Sequence, residues 1–233
     1  MFKRIKLYCK KVSRAKRIMR LRNSIAPYLK KDFGVELNYK LWTTKGARFS
    51  ASRRNKIQNE LSTKTVGYLS VYLTIIGLLS VYEIDVSDFM DIKYLNFTLT
   101  GISLLILIFS QFETSKEYAI KSEKFHQCSL EIGELYNKLR MVKTFTTILN
   151  KEPEISKISK HYDRVLHKYD NHIPIDFDIF RITKPDYFRL SSWDVRIIKI
   201  RFYMQVKFKY HLFIYGPIII LIIYGLKKFI ICN

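Results

Sequence analysis

Two uncharged apolar runs, residues 66–82 and 95–112, flank a short acidic segment, 83–93. A bilayer core about 30 Å thick is crossed by roughly 17–25 apolar residues in a helix rising 1.5 Å per residue. Both runs reach that length. A connection as short as 83–93 forces them into an antiparallel helical hairpin, so the pattern predicts a membrane protein centred on that hairpin.

Outside the hairpin the apolar period is also helical. Phe2, Ile5, Cys9, Val12, Ala15 and Met19 recur at spacings of three and four, which predicts a basic amphipathic helix over 2–22. Such a helix can lie on an anionic leaflet, on nucleic acid, or against the rest of the chain. Pro27 and the stretch 30–34 end it. A second helix is expected from near Val35 through Leu41, Trp42, Ala47, Phe49 and Ala51, with Trp42 and Tyr39 packed in a cytosolic bundle.

The helical pattern then runs on from the second span to about Asn150. Phe125, Cys128, Ile132, Leu135, Leu139, Val142, Thr146 and Leu149 alternate steps of three and four, a heptad seam over more than three repeats. The seam suits a coiled coil between copies or packing against the 39–61 helix. Phe125, Ile132, Leu135, Leu139 and Val142 are taken as an oligomer seam. Glu152-Pro153-Glu154 opens another helix with a stripe of Ile155, Ile158, Tyr162, Val165 or Leu166, and Tyr169, which Pro174 is expected to end. Residues 171–185 read as a loop. Ser191 caps the next helix, which carries Arg196, Lys199, Arg201, Lys207 and Lys209 into a third apolar stretch, 212–226, interrupted by Gly216-Pro217. That stretch reads either as a third span or as a re-entrant or interfacial helix.

The fold class is therefore an all-α membrane protein. Its regions are basic cytosolic helices (1–64), a two-span hairpin (65–112), a cytosolic helical region whose long helix continues from the second span (113–210), and a C-terminal apolar helix (211–233).

Charge sets the orientation. The 233 residues carry 41 Lys and Arg against 20 Asp and Glu, a net charge of +21. Nineteen of the basic residues precede the first span, against Asp32, Glu36 and Glu60, while the 83–93 segment holds Glu83, Asp85, Asp88 and Asp91 against Lys93. Basic residues beside spans stay cytoplasmic. The expectation is a bacterial inner-membrane protein with a cytoplasmic N-terminus and a periplasmic 83–93 loop. The start lacks the apolar stretch of a secretory signal.

Within the spans, Asn96, Thr100, Ser103 and Ser110 share one face of the second helix, and Gly67, Ser70, Thr74 and Gly77 form a strip on the first. Polar groups in hydrocarbon need a partner. Helix packing supplies one explanation, and a water-lined pore built from several copies supplies another. No charge sits inside either span, which argues against a proton relay or pump.

Catalytic signatures are absent. There is no phosphate-binding glycine loop, no H-E-x-x-H and no nucleophile elbow. Three scattered cysteines, Cys9, Cys128 and Cys232, suggest neither a disulfide framework nor zinc. His161, His167 and His172 share no face and read as surface histidines. The expectation is a protein that is not an enzyme and holds no cofactor or metal.

The order of elements resembles the SLATT family, the SMODS/SLOG-associating two-transmembrane effectors of bacterial nucleotide-signalling and conflict systems. The local matches are Leu41-Trp42-Thr43-Thr44-Lys45-Gly46-Ala47-Arg48-Phe49 with Arg53 or Arg54 before the hairpin, and Tyr169-Asp170-Asn171-His172 with Asp176-Phe177 after the long helices. The resemblance covers about residues 30–180 and marks Trp42, Arg48, Asn171, His172 and Asp176 as family-motif positions. It implies a toxic effector of antiphage defence that permeabilises the inner membrane and is tied to an inhibitory or activating partner, while the seam and the polar stripes predict a homo-oligomer in the lipid bilayer. That partner would be a nucleic-acid-bearing reverse transcriptase complex of the retron type or a nucleotide-signalling enzyme. The sequence permits Asp176 and Asp178 to pair with Arg48, Arg53 or Arg54.

Overall fold

The computed structural model describes residues 32–81, 92–145 and 150–232. The 2–22 helix, most of the acidic 83–93 segment, and Thr146 and Leu149 of the seam lie outside them. Among the described residues every regular element is helical.

Helix α1 (Phe33–Val81) is one unbroken helix of 49 residues, about 74 Å long at 1.5 Å per residue. No proline falls between Pro27 and Pro153 to interrupt it. Asp32 caps it, its carboxylate accepting the Gly34 N–H at 2.8 Å. The bundle helix and the first span are thus a single element. Helix α2 (Ile92–Thr114) begins inside the segment read as loop and carries the second span.

Helix α2 does not continue directly into the next helix, as the period had suggested. The Ser115 hydroxyl donates to the Phe112 carbonyl at 2.9 Å, competing with the backbone ladder. Glu117 then adopts φ 50°, ψ 42° before α3 (Tyr118–Thr144) starts. A left-handed non-glycine residue costs about 1–2 kcal/mol, so this bend needs support from the surrounding packing.

Helices α2 and α3 retrace α1 in one antiparallel register. Gly77 lies opposite Leu99, where an added Cβ would be 3.8 Å from the leucine. The Ser122 hydroxyl donates to the Ser52 carbonyl at 2.9 Å. Lys45 lies against Gly133, and Lys143 reaches Asp32 at 3.7 Å.

The seam is filled from within the chain. Phe125, Ile132, Leu135, Leu139 and Val142 are buried. Most of them join one core with Leu37 and Leu41 of α1 and with Ile158, Tyr162 and Val165 of α4 (Glu152–Lys168). This corrects the oligomer-seam expectation: α1 and α4 cover the stripe, so it offers no apolar face to a second copy.

Residues 171–185 are not a loop. Pro174 opens α5 (Pro174–Ile182) rather than ending α4, which stops at Lys168. Proline suits a first helical position because its missing N–H is not needed there. Asp176, in the first turn, accepts the Ile173 N–H at 3.1 Å. A short α6 (Pro185–Phe188) follows. Helix α7 (Ser192–Phe202) begins as expected, with the Ser191 hydroxyl accepting the Asp194 N–H at 3.2 Å. One π-helical turn, Tyr203–Lys207, joins it to α8 (Phe208–Cys232), which contains Pro217.

Candidate functional site

Three groups of residues stand out: the outer faces of the hairpin, a buried polar cluster in the extramembrane bundle, and a carboxylate where the two regions meet.

Two stretches, beginning at Phe33 and at Asn96, are long and apolar enough to cross a membrane, and only 6% of each apolar window is buried. A soluble core helix would be mostly covered, so these faces are built for lipid or for other helices. The inward face of α2 carries Leu99, Ile102, Ile106 and Phe109. Ser70, Thr74, Asn96, Thr100 and Ser103 point away from the chain's own helices, and Ser110 is half-buried at the edge. Four of the outward hydroxyls bond back along their own helix: Ser70 to the Val66 carbonyl (2.9 Å), Thr74 to Ser70 (2.9 Å), Thr100 to Asn96 (3.0 Å) and Ser103 to Thr100 (2.7 Å). Each hydroxyl donor is thereby satisfied and its oxygen still accepts.

In the bundle, the family-motif residues from both ends of the chain come together. Arg54 Nε and Nη2 donate to the two oxygens of Asp176 at 2.8 and 3.1 Å, and Asp176 is fully buried. Asp178 pairs instead with Arg181 and Arg201. Arg48, 1% exposed, donates through Nη2 to Asn171 Oδ1 at 3.1 Å and lies over the Phe125 ring. Its Nε and Nη1 have no protein hydrogen bond, and neither does the buried Nδ1 of His172. His172 is therefore not the surface histidine expected, whereas His161 and His167 are exposed. Burial first, then the Arg48 charge, push the His172 imidazole below its ordinary range, against the pull of Asp176. Cys128 is buried beside this cluster, and desolvation raises its thiol, as suits an inert side chain.

Trp42 organises the neighbouring aromatic cluster. It stacks on Phe188 (5.8 Å, 4° between planes) and meets Phe180 and Tyr187 edge-on. Gly46, one turn on, lets the Phe180 ring touch the α1 backbone: a Cβ there would fall 2.2 Å from the ring. The sequence contains Gly46 inside the motif, but only its distant contact gives it a role.

The third group was not singled out from sequence. Glu113 directly follows the second span and is 6% exposed. It accepts from Lys209 Nζ at 2.8 Å, from the Tyr210 hydroxyl at 2.5 Å, and from Lys116. Burial would raise this carboxyl, but the hydrogen bonds from Lys116, Lys209 and Tyr210 outweigh it and hold the group below its ordinary value. The available signal was an acid at a span end whose flanks are otherwise basic.

A hairpin with exposed apolar faces is set on a bundle that buries Arg48 and Asp176 and half-buries Trp42, and a family model for a two-transmembrane effector domain matches residues 30–223. The chain belongs to the SMODS and SLOG-associating 2TM effector domain family 5. No curated protein and no solved structure matches it. As a member of this family it is a membrane protein and a two-transmembrane effector associated with defence systems.

Proposed function

We propose that this chain is the membrane effector of a bacterial antiphage defence system, and that it permeabilises the inner membrane when activated, causing growth arrest or death. The observation that carries this reading is the outward placement of Ser70, Thr74, Asn96, Thr100 and Ser103. These side chains are exposed, and the four hydroxyls bond back along their own helices while their oxygens still accept. Several hairpins gathered around one axis would line it with these groups, so the assembling surface lies in the membrane rather than along the seam.

In this reading the N-terminus is cytoplasmic and 83–93 periplasmic, because the basic flanks stay inside. The protein acts by assembly rather than catalysis. A partner, either a reverse transcriptase complex carrying nucleic acid or a nucleotide-signalling enzyme, holds or releases the closed state. Differential binding worth a few kcal/mol is enough to move such an equilibrium.

The test expresses wild type and a Thr100→Leu, Ser103→Leu, Ser110→Leu variant at matched levels and follows viability, membrane potential and dye entry. Depolarisation that precedes death in wild type and is lost in the variant supports the pore. Death without depolarisation rejects it. A second reading, a membrane-tethered scaffold that docks an acidic partner or nucleic acid without a pore, draws on the net charge of +21 and predicts no toxicity on expression.

A further inference from the structure

The family description counts two membrane spans. Helix α8 carries a third uncharged run of the same length. The runs between flanking charges are 65–82, 94–112 and 210–226, which is 18, 19 and 17 residues. At 1.5 Å per residue each extends about 26–29 Å, close to a bilayer core. Length alone leaves a surface-lying helix open, but the contacts of α8 do not.

The start of the third run is fixed at the level where the second span ends. Lys209 and Tyr210 both donate to Glu113. From there α8 advances beside the spans rather than away from them. One turn on, the Phe213 ring lies 5.2 Å from that of Phe109, which is one turn back from Glu113. The Tyr72 hydroxyl, about two turns into the first run, donates to the Ile214 carbonyl at 2.7 Å. Pro217 leaves the Phe213 carbonyl without its helical donor and its ring crowds the turn that also holds Ile214, so a donor from a neighbouring helix is useful in that turn. These three contacts keep α8 antiparallel to α2 and parallel to the first span.

The opposite face of α8 is apolar and uncovered. Leu212, Ile219, Ile220, Ile222 and Ile223 are each more than half exposed.

From these observations we infer that α8 is a third transmembrane helix, docked on the hairpin through Glu113, Phe109 and Tyr72, with the hydrocarbon core of the bilayer as the partner of its isoleucine face. The Cys232 end of α8 then lies on the side of the membrane where α1 ends at Val81 and α2 begins at Ile92. The sequence has Lys227 and Lys228 near the end of α8. The positive-inside tendency disfavours them there, but long basic side chains snorkel to the headgroups from a helix end. The inference concerns topology and stands whether or not the hairpin forms a pore.

The experiment compares the sidedness of Cys232 with that of the hairpin connection. One full-length variant, Cys9→Ser with Cys128→Ala, keeps Cys232 as its only thiol. A second adds Ser87→Cys and Cys232→Ser to the same background. Each is treated with a membrane-impermeant maleimide in intact spheroplasts and again after lysis. Equal labelling of Cys232 and of the cysteine at 87 before lysis is the expected result. Labelling of the two from opposite sides overturns the third crossing and makes α8 re-entrant or interfacial. Should the cysteine variants fold poorly, alkaline phosphatase and green fluorescent protein are fused after Asn233 and, separately, after Asp85 of the native chain. The same reporter must be active at both positions. Opposite reporters overturn the proposal.

Discussion

Arg54 holds Asp176 in a fork, Nε at 2.8 Å and Nη2 at 3.1 Å, across 122 residues of chain, with the carboxylate fully buried. Asp176 also caps α5 through the Ile173 N–H. The pair therefore locks α5 onto α1. Breaking a buried ion pair costs about 3–5 kcal/mol because the remaining charge is stranded, whereas replacing both partners with apolar groups is far cheaper. Arg54→Met and Asp176→Leu should each lower the melting temperature of the detergent-solubilised protein sharply. The double variant should recover most of the loss. Additive losses in thermal scans would mean the two residues act separately.

Gly46 makes a steric prediction. Gly46→Ala drives a methyl group into the Phe180 ring, and overpacking of this kind costs about 1–3 kcal/mol. The substitution should loosen the Trp42 cluster, raising tryptophan emission wavelength and protease sensitivity near α5. Gly46→Ala with Phe180→Leu should restore part of both.

The seam prediction follows from its burial. Ile132 and Leu139 are fully covered by α1 and α4. Ile132→Asp with Leu139→Asp should unfold the extramembrane bundle, seen as lost helical signal and rapid proteolysis of α3. Native helicity with a lower oligomeric mass would instead return the seam to a contact between copies.

His172 gives a pH dependence with a defined sign. Its folded value lies below the ordinary imidazole value of 6.5. The unfolded chain therefore binds a proton that the folded bundle refuses, and stability falls as pH drops from about 6.5 through the folded value. His172→Gln should flatten that part of a melting-temperature profile between pH 5 and 7.5. An unchanged profile would assign the dependence to other groups.

Much of this architecture was legible because membrane crossing and helical burial write long, simple patterns. The uncharged runs gave the hairpin, and the three-four spacing of Phe125 through Val142 gave the buried stripe. That stripe did not name its partner, since a heptad looks the same whether the covering helix comes from the chain or from a copy. Pro174 was misplaced because proline closes one helix and opens the next with equal ease. Only Asp176 two residues later, paired with a distant arginine, decides between them. The bend at Glu117 left no signal, because nothing in Ser115-Lys116-Glu117 forbids a continuing helix. The seats of Arg48 and His172 are set by side chains more than 100 positions apart in sequence, and no local period reports such distances.

Helix α1 has no joint between the Trp42 cluster and Thr74, while the returning leg has one at Glu117. The two legs therefore differ mechanically. The first behaves as a drive shaft: a turn imposed where Phe188 grips Trp42 arrives at Ser70 and Thr74 with its angle preserved. The second is a shaft in two sections, set at an angle where α2 meets α3, so the same turn is not carried straight through it. A twist of the bundle would then re-aim the polar strip of one span against that of the other, converting torque at the aromatic end into a change of face inside the membrane.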